Sequence, residues 1–178
     1  GVLKVLDSLG IKVDYIAGTS MGAIIGSLYA SGYTGNQIDS IFKTANFDDL
    51  ISDNLPRKAK TFYERENSEK YALVLPFDNF KVKLPSALSR GQNAYGLISK
   101  LTLPVNNIEN FKDLPIPFFC IATDVETGKQ VVLDKGNLAQ AVMASGAFPS
   151  LYQPVVINNQ VLIDGGVVNN YPIDELKA

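Results

Sequence analysis

Two short segments carry residue types that could perform nucleophilic chemistry. The first is Gly18-Thr19-Ser20-Met21-Gly22, a Gly-x-Ser-x-Gly pattern, and the second is Asp164-Gly165-Gly166. A serine hydroxyl that passes its proton to a neighbouring base can attack an ester carbonyl and form an acyl-enzyme intermediate. Each segment also has a plainer interpretation: the first as a tight turn with a serine at a helix N-cap, the second as a turn alone.

The surroundings of Ser20 favour the chemical interpretation. The run Lys12 to Ala17 predicts a short strand, and the small apolar residues 23–30 predict a packed helix. A serine between a strand and a helix occupies a sharp, strained turn, and glycines at positions 18 and 22 are expected to avoid collisions there. The positive end of the helix dipole would favour negative charge that develops at the reaction centre.

Asp164 follows the short apolar strand predicted for Val161-Leu162-Ile163. A carboxylate at the C-terminal end of a strand is well placed to face a serine at the same sheet edge. Strand and helix patterns alternate along the rest of the chain, which predicts a single α/β domain with a largely parallel central sheet. The further predicted elements are helices at 1–9, after Thr34, at 91–103 and at 138–145, and strands at 118–123 and 130–133.

Composition excludes several classes of protein. The chain of 178 residues has no histidine, so it holds neither a Ser-His-Asp triad nor a zinc site built on histidine. We therefore expect no metal and no cofactor. The net charge of -2 and the absence of a dense basic run argue against nucleic acid as a partner. The single cysteine, Cys120, lies in an apolar run and is expected to be a buried, inert thiol.

Taken together, the two segments resemble the patatin-like phospholipase family. The trailing Asn169-Asn170-Tyr171-Pro172 and the stretches 123–128 and 141–149 also resemble that family, so the resemblance covers nearly the whole chain. It implies a three-layer α/β/α fold and a catalytic dyad of Ser20 and Asp164. It further implies hydrolysis of acyl esters in phospholipids or neutral lipids, with the lipid as partner. The glycines that would shape the two turns are Gly18, Gly22, Gly165 and Gly166.

One departure concerns the oxyanion hole, which the resemblance places in a glycine-rich loop upstream of the first helix. The chain begins after that point and ends soon after Pro172, so we expect a domain truncated at both ends and poorly active by itself. Three other functions remain open: a catalytically silent lipid-binding or assembly module of the same fold, an unrelated α/β binding domain, and acyl transfer to an alcohol.

Other polar or aromatic segments have less specific patterns. Residues 57–85 mix aromatics with lysines, which fits contact with a lipid or membrane surface, a lid over the pocket, or ordinary packing as a cover over the core. Asp124 is predicted to be a structural residue at a strand end. Asp48-Asp49 and Asp53 are predicted to form a solvated acidic surface.

Overall fold

The computed structural model describes residues 1–52, 77–78, 81–82 and 87–177. The segment 57–85 lies almost wholly outside these described residues, and so does Asp53. The described helices are α1 Val2–Ser8, α2 Met21–Ala30, α3 Gly35–Thr44, α4 Phe47–Ser52, α5 Gln92–Leu101, α6 Leu138–Ser145 and α7 Ile173–Lys177.

The predicted helix signals agree with these bounds. α6 has the predicted limits, and α5 lies inside the predicted 91–103. Thr34 caps α3 in a capping box: its Oγ1 accepts from Gln37 N at 3.3 Å, and the Gln37 side chain accepts from Thr34 N at 2.8 Å. This arrangement satisfies backbone N–H groups that the first turn of a helix leaves without partners.

Five strands form the main sheet: β1 Ile16–Thr19, β5 Phe118–Asp124, β6 Gln130–Leu133, β8 Val155–Ile157 and β9 Gln160–Asp164. Four short strands make two separate pairs: β2 Phe77–Asp78 with β3 Lys81–Val82, and β4 Ala87–Ser89 with β7 Ser150–Tyr152. The sequence patterns did not predict β4, β7 or β8.

The main sheet is mixed. The α/β class is confirmed, but among the described strands only β1 and β5 form a parallel pair in this sheet, so the expectation of a largely parallel sheet is wrong in this detail. The lengths of two connecting segments explain the difference. Residues 125–129 join β5 to β6, and Asn158-Asn159 joins β8 to β9. Both segments are too short for a crossover connection, so each must join antiparallel strands. Asn158 and Asn159 have φ of 50° and 64°, the positive values that a two-residue hairpin turn requires.

β1 is shorter at its start than the predicted strand from Lys12. Its pairing with β5 begins at Ile16, which lies opposite Phe118, and the Ile16 N–H donates to the Pro117 carbonyl at 2.9 Å. Proline has no N–H to donate to a neighbouring strand. The ladder therefore stops at Pro117 and does not extend toward Lys12.

β1 and β9 lie on the same edge of β5 and meet end to end. β6 pairs with β5 along the opposite edge. On the shared edge, Thr19 at the end of β1 lies opposite Ile121, and Asp164 at the end of β9 lies opposite Ala122. Because β1 runs parallel to β5 and β9 runs antiparallel to it, the two strand ends face each other. The sheet thus brings Ser20, the residue after β1, beside Asp164.

The core lies between this sheet and the helices, with α2 and α6 in contact with β5. The β5 side chains in this core are Phe118, Cys120 and Ala122. Gly18 faces α2, whereas the Thr19 hydroxyl donates to the Asn169 carbonyl at 3.0 Å. Since successive side chains of a strand point to opposite faces, the chain after β9 covers part of the second face.

Candidate active site

Ser20 occupies a sharp turn between β1 and α2. Its φ of 54° and ψ of -122° lie outside the regions that residues with side chains prefer. Strained backbone of this kind persists where the surrounding structure holds it, and it exposes a side chain between a strand and a helix. Ser20 is the N-cap of α2, yet its side chain makes no capping hydrogen bond, so its hydroxyl is available to another partner.

The two glycines of the Gly-x-Ser-x-Gly segment have different steric roles. A Cβ on Gly18 would lie 2.6 Å from the Gly22 carbonyl oxygen and 2.7 Å from the Ala23 nitrogen, so a side chain does not fit there. A Cβ on Gly22 would meet nothing within 4 Å. The expectation that both glycines avoid collisions is correct for Gly18 and wrong for Gly22, which is exposed on the first turn of α2.

The partner of the Ser20 hydroxyl is Asp164. Ser20 Oγ donates to Asp164 Oδ2 at 2.5 Å, although 144 positions separate the two residues. Asp164 Oδ1 accepts from the Gly166 N–H at 2.6 Å, and the residue as a whole is 3% exposed. Its main chain is fixed as well, because Thr123 Oγ1 donates to the Asp164 carbonyl at 2.8 Å. A buried carboxylate held in this way can accept the hydroxyl proton of the serine.

The two glycines after Asp164 permit close approach to β5. A Cβ on Gly165 would lie 2.1 Å from the Ile121 carbonyl oxygen, which excludes any side chain. A Cβ on Gly166 would lie 3.0 Å from Asp164 Oδ1, the atom that accepts its N–H. Both predicted glycines therefore have a physical reason to be present.

The structure adds Ser145, which the sequence patterns included in the resemblance but did not assign to the site. Its Oγ accepts a hydrogen bond from the Ser20 N–H at 3.0 Å, and the residue is fully buried. No local signal would have identified it, since a serine among the small residues of α6 is also typical of plain helix packing. The contact depends on how α6 lies against the turn at Ser20.

An apolar cavity of about 240 Å³ opens beside Ser20. Helices α2, α3, α4 and α5 and the segment after α6 supply its walls. Among its lining residues are Met21, Ile24, Leu28, Phe42, Leu97, Leu101 and Phe148. A second cavity of about 280 Å³ is also lined by Ser20, together with Asp164, Gly166 and Asn170. Both cavities thus reach Ser20, and their linings differ in polarity.

The other acidic residues that the sequence singled out, and that the structure describes, make different contacts. Asp124 ends β5 and caps the following turn, accepting from Glu126 N at 2.9 Å and from Thr127 Oγ1 at 3.0 Å. The Glu126 N–H is the largest cause of its lowered pKa. Its predicted structural role is confirmed. Asp48 and Asp49 are exposed in the first turn of α4.

Neither a metal site nor a membrane span is found in the part of the chain that the structure describes. Across residues 1–52, 77–78, 81–82 and 87–177, no three histidine, cysteine or acidic side chains gather where a metal ion could bind. Across the same ranges, no helix has both the length and the apolar composition to cross a bilayer.

Comparison with solved structures agrees with this architecture. VipD from Legionella pneumophila matches with a TM-score of 0.56 over 94% of this chain and 43% of that chain, at 15% sequence identity. At that identity the likeness concerns the fold alone.

Curated relatives are considerably longer than this chain. An uncharacterized NTE family protein of Mycobacterium tuberculosis is 29% identical over 178 residues, which are all of this chain and 25% of that protein. A lysophospholipase of Yarrowia lipolytica is 28% identical over 180 residues, which cover all of this chain and 11% of that protein. The chain therefore spans a quarter of the first relative and about a tenth of the second.

The family model described as patatin-like phospholipase matches residues 1–177. That range includes both segments whose side chains meet at the shared edge of β5, together with the α6 segment that contacts Ser20. The resemblance read from these segments is thereby confirmed, and the chain belongs to the patatin-like phospholipase family.

Proposed function

We propose that the protein hydrolyses acyl esters of lipids, with Ser20 as the nucleophile and Asp164 as its general base. The observation that carries the proposal is the 2.5 Å contact between Ser20 Oγ and Asp164 Oδ2 beside an apolar cavity. Family membership supports it, and one relative is named a lysophospholipase. Because the relatives are several times longer, the activity of the whole protein is part of the proposal.

The reaction proceeds by two acyl transfers. As Ser20 Oγ forms a bond to the ester carbonyl carbon, its proton passes to Asp164 Oδ2. The tetrahedral intermediate collapses, the ester C–O bond breaks, and Asp164 returns the proton to the departing alcohol oxygen. Water then attacks the acyl-serine with Asp164 as base, which releases the carboxylic acid and restores the Ser20 hydroxyl.

The start of α2 supports the negative charge that forms on the carbonyl oxygen. The N–H groups of Met21 and Gly22 belong to the first turn, where a helix leaves N–H groups without intrahelical acceptors. Together with the helix dipole they provide positive potential next to Ser20. The Ser20 N–H is already donated to Ser145. The resemblance also predicts hydrogen-bond donors to the carbonyl oxygen from a glycine-rich loop upstream of α1.

The two cavities suit the two parts of a lipid ester. The apolar cavity, with Leu28 and Leu101 among its walls, fits the hydrocarbon of an acyl chain. The second cavity, beside Asp164 and Asn170, fits the alcohol that leaves. Phe148 lines both cavities and would separate the two parts of the substrate.

Peripheral contact with a membrane or another lipid surface is a further element of the proposal. Met21, Phe47 and Phe148 line the apolar cavity, and each is about half exposed. Exposed apolar side chains at a cavity mouth suit a surface from which an acyl chain has to be drawn.

Two substitutions in the complete protein test the proposal. Ser20→Ala and Asp164→Asn should each lower hydrolysis of a nitrophenyl ester and of a lysophospholipid by about 10⁴-fold or more, because the dyad acts as a unit. A fluorophosphonate should label Ser20 in the unsubstituted protein, with the adduct located by mass spectrometry. Asp124→Asn is the matched control, since Asp124 is also a buried aspartate at a strand end, with 6% exposure.

The outcomes separate the competing functions. Ester hydrolysis that survives Ser20→Ala would refute the assignment. No turnover and no labelling in the complete, folded protein would favour a silent lipid-binding module. Product analysis with an added alcohol distinguishes hydrolysis from acyl transfer. A large separation of Ser20 from Asp164 would have favoured the interpretation of both segments as unrelated turns, whereas the two residues share a hydrogen bond.

A further inference from the structure

Ser145 has no part in the chemistry proposed above, yet its hydroxyl contacts the main chain of the nucleophile. Ser145 is the last residue of α6 and is fully buried. Its Oγ accepts the hydrogen bond from the Ser20 N–H at 3.0 Å. This bond joins residues 125 positions apart. It therefore connects two elements that the chain does not hold together locally.

We infer that Ser145 is a positioning residue, which holds the main chain of Ser20 so that the Ser20 hydroxyl stays in contact with Asp164. Ser20 has positive φ, a conformation that persists only where neighbouring groups fix it. The Ser145 hydroxyl accepts from the N–H of this residue and so anchors the peptide plane between Thr19 and Ser20. The inference rests on the proposed function, because it assigns Ser145 a role in the same reaction.

The end of α6 also contacts the other member of the pair. The Asp164 N–H donates to the Ala147 carbonyl at 3.0 Å, two residues after Ser145. One short segment, residues 145–147, thus bonds the main chain of both Ser20 and Asp164. Moving this segment would shift the two residues relative to each other, whereas their contact of 2.5 Å leaves little tolerance for such a shift.

Ser145 itself is held by its neighbours. The fully buried Cys120 of β5 lies close to the Ser145 side chain: burial raises the pKa of the Cys120 thiol, and interaction with Ser145 opposes that rise. Cys120 lies opposite Gly18 in the pairing of β5 with β1. The hydroxyl at 145 is therefore in contact with the sheet as well as with the turn at Ser20.

The test compares two buried serines in the complete protein. Ser145→Ala removes the acceptor and should lower kcat by about tenfold to a hundredfold, the effect expected when a partly buried donor loses its partner in the reacting geometry. KM should stay within about twofold, because Ser145 does not line either cavity. The rate of fluorophosphonate labelling at Ser20 should fall in parallel with kcat.

Ser27→Ala is the matched control. Ser27 is also fully buried in a helix, and its hydroxyl donates to the Ile24 carbonyl at 2.9 Å without contacting the pair. It should lower the melting temperature without a comparable loss of kcat. A Ser145→Ala protein that is folded and keeps kcat within about twofold, or that loses no more than Ser27→Ala, would overturn the inference. A change confined to KM would overturn it as well.

Ser145→Cys keeps the size of the side chain but offers a weaker acceptor, so kcat should lie between the unsubstituted and alanine proteins. This variant decides the question if Ser145→Ala does not fold, and unchanged kcat in it would then refute the role. The activity of the Ser20→Ala protein shows whether a negative result concerns only Ser145 or the proposed function as a whole. If Ser20→Ala is inactive and Ser145→Ala is fully active, only the role of Ser145 is lost.

Discussion

The contrast between Gly18 and Gly22 gives a sharp test of the steric argument. The two glycines belong to one motif, but a side chain fits only at position 22. Gly18→Ala would place a Cβ 2.6 Å from the Gly22 carbonyl oxygen, well inside the separation of about 3.5 Å or more at which non-bonded atoms attract. The Gly22 carbonyl oxygen and the nearby Ala23 nitrogen are both backbone atoms, so a change of side-chain rotamer cannot relieve the clash. The start of α2 therefore has to move by roughly 1 Å.

Two measurements should register this displacement. Overpacking of this kind costs about 1–3 kcal/mol in the free energy of unfolding, which urea denaturation can resolve. Because Ser20 begins α2, the displacement should also separate its hydroxyl from Asp164, and a misplacement of about 1 Å can lower turnover about 10²-fold. We expect Gly18→Ala to show both losses.

Gly22→Ala serves as the comparison. Its Cβ meets open space, and alanine is favoured over glycine in a helix by up to about 1 kcal/mol, so the free energy of unfolding should stay the same or rise. Equal destabilisation by the two substitutions would refute the steric argument. So would a Gly18→Ala protein that is as stable and as active as the unsubstituted protein.

Two further predictions concern the cavity and the surface. In a series of nitrophenyl esters, kcat/KM should rise about fourfold for each added methylene until the apolar cavity is full, since each buried methylene contributes about 0.8 kcal/mol; a flat series would argue against an acyl-chain site. Hydrogen bonds from Lys4 and then Lys43 lower the pKa of Asp39 from 3.8 to about 2. The folded pKa lies below the unfolded value, so this stabilisation is present above about pH 4 and is lost as the pH falls toward 2. Asp39→Asn should therefore destabilise the protein more at about pH 6 than at about pH 3 in urea denaturation, and an equal effect at both would contradict the assignment.

Local signals in the sequence predicted the elements that depend on local chemistry. Thr34 marked the start of α3, and the capping box that it forms with Gln37 in the structure involves only neighbouring residues. The apolar run from Phe118 predicted β5, the most buried strand described. The adjacent Asn158 and Asn159 are also a local signal, because asparagine tolerates the positive φ that a two-residue hairpin turn between β8 and β9 requires.

Features that depend on long-range register could not be predicted in this way. Nothing local to Thr19 or Asp164 shows that their strands pair with adjacent residues of β5, because register is set by the packing of the whole sheet. The same holds for Ser145, whose partner depends on the path of a distant helix. The prediction that a side chain at position 22 would collide is wrong, because collisions depend on the positions of neighbouring atoms and not on the motif alone.

The end-to-end meeting of β1 and β9 makes the assembly of the centre depend on both strands. One half of it is supplied near the beginning of the chain and the other near the end, and neither strand can place its residue until both have docked on β5. Closing so wide a loop is entropically costly and slow compared with forming a helix. Reactivity at the serine would thus report that β9 has joined the sheet beside β1, whereas helix content alone would not.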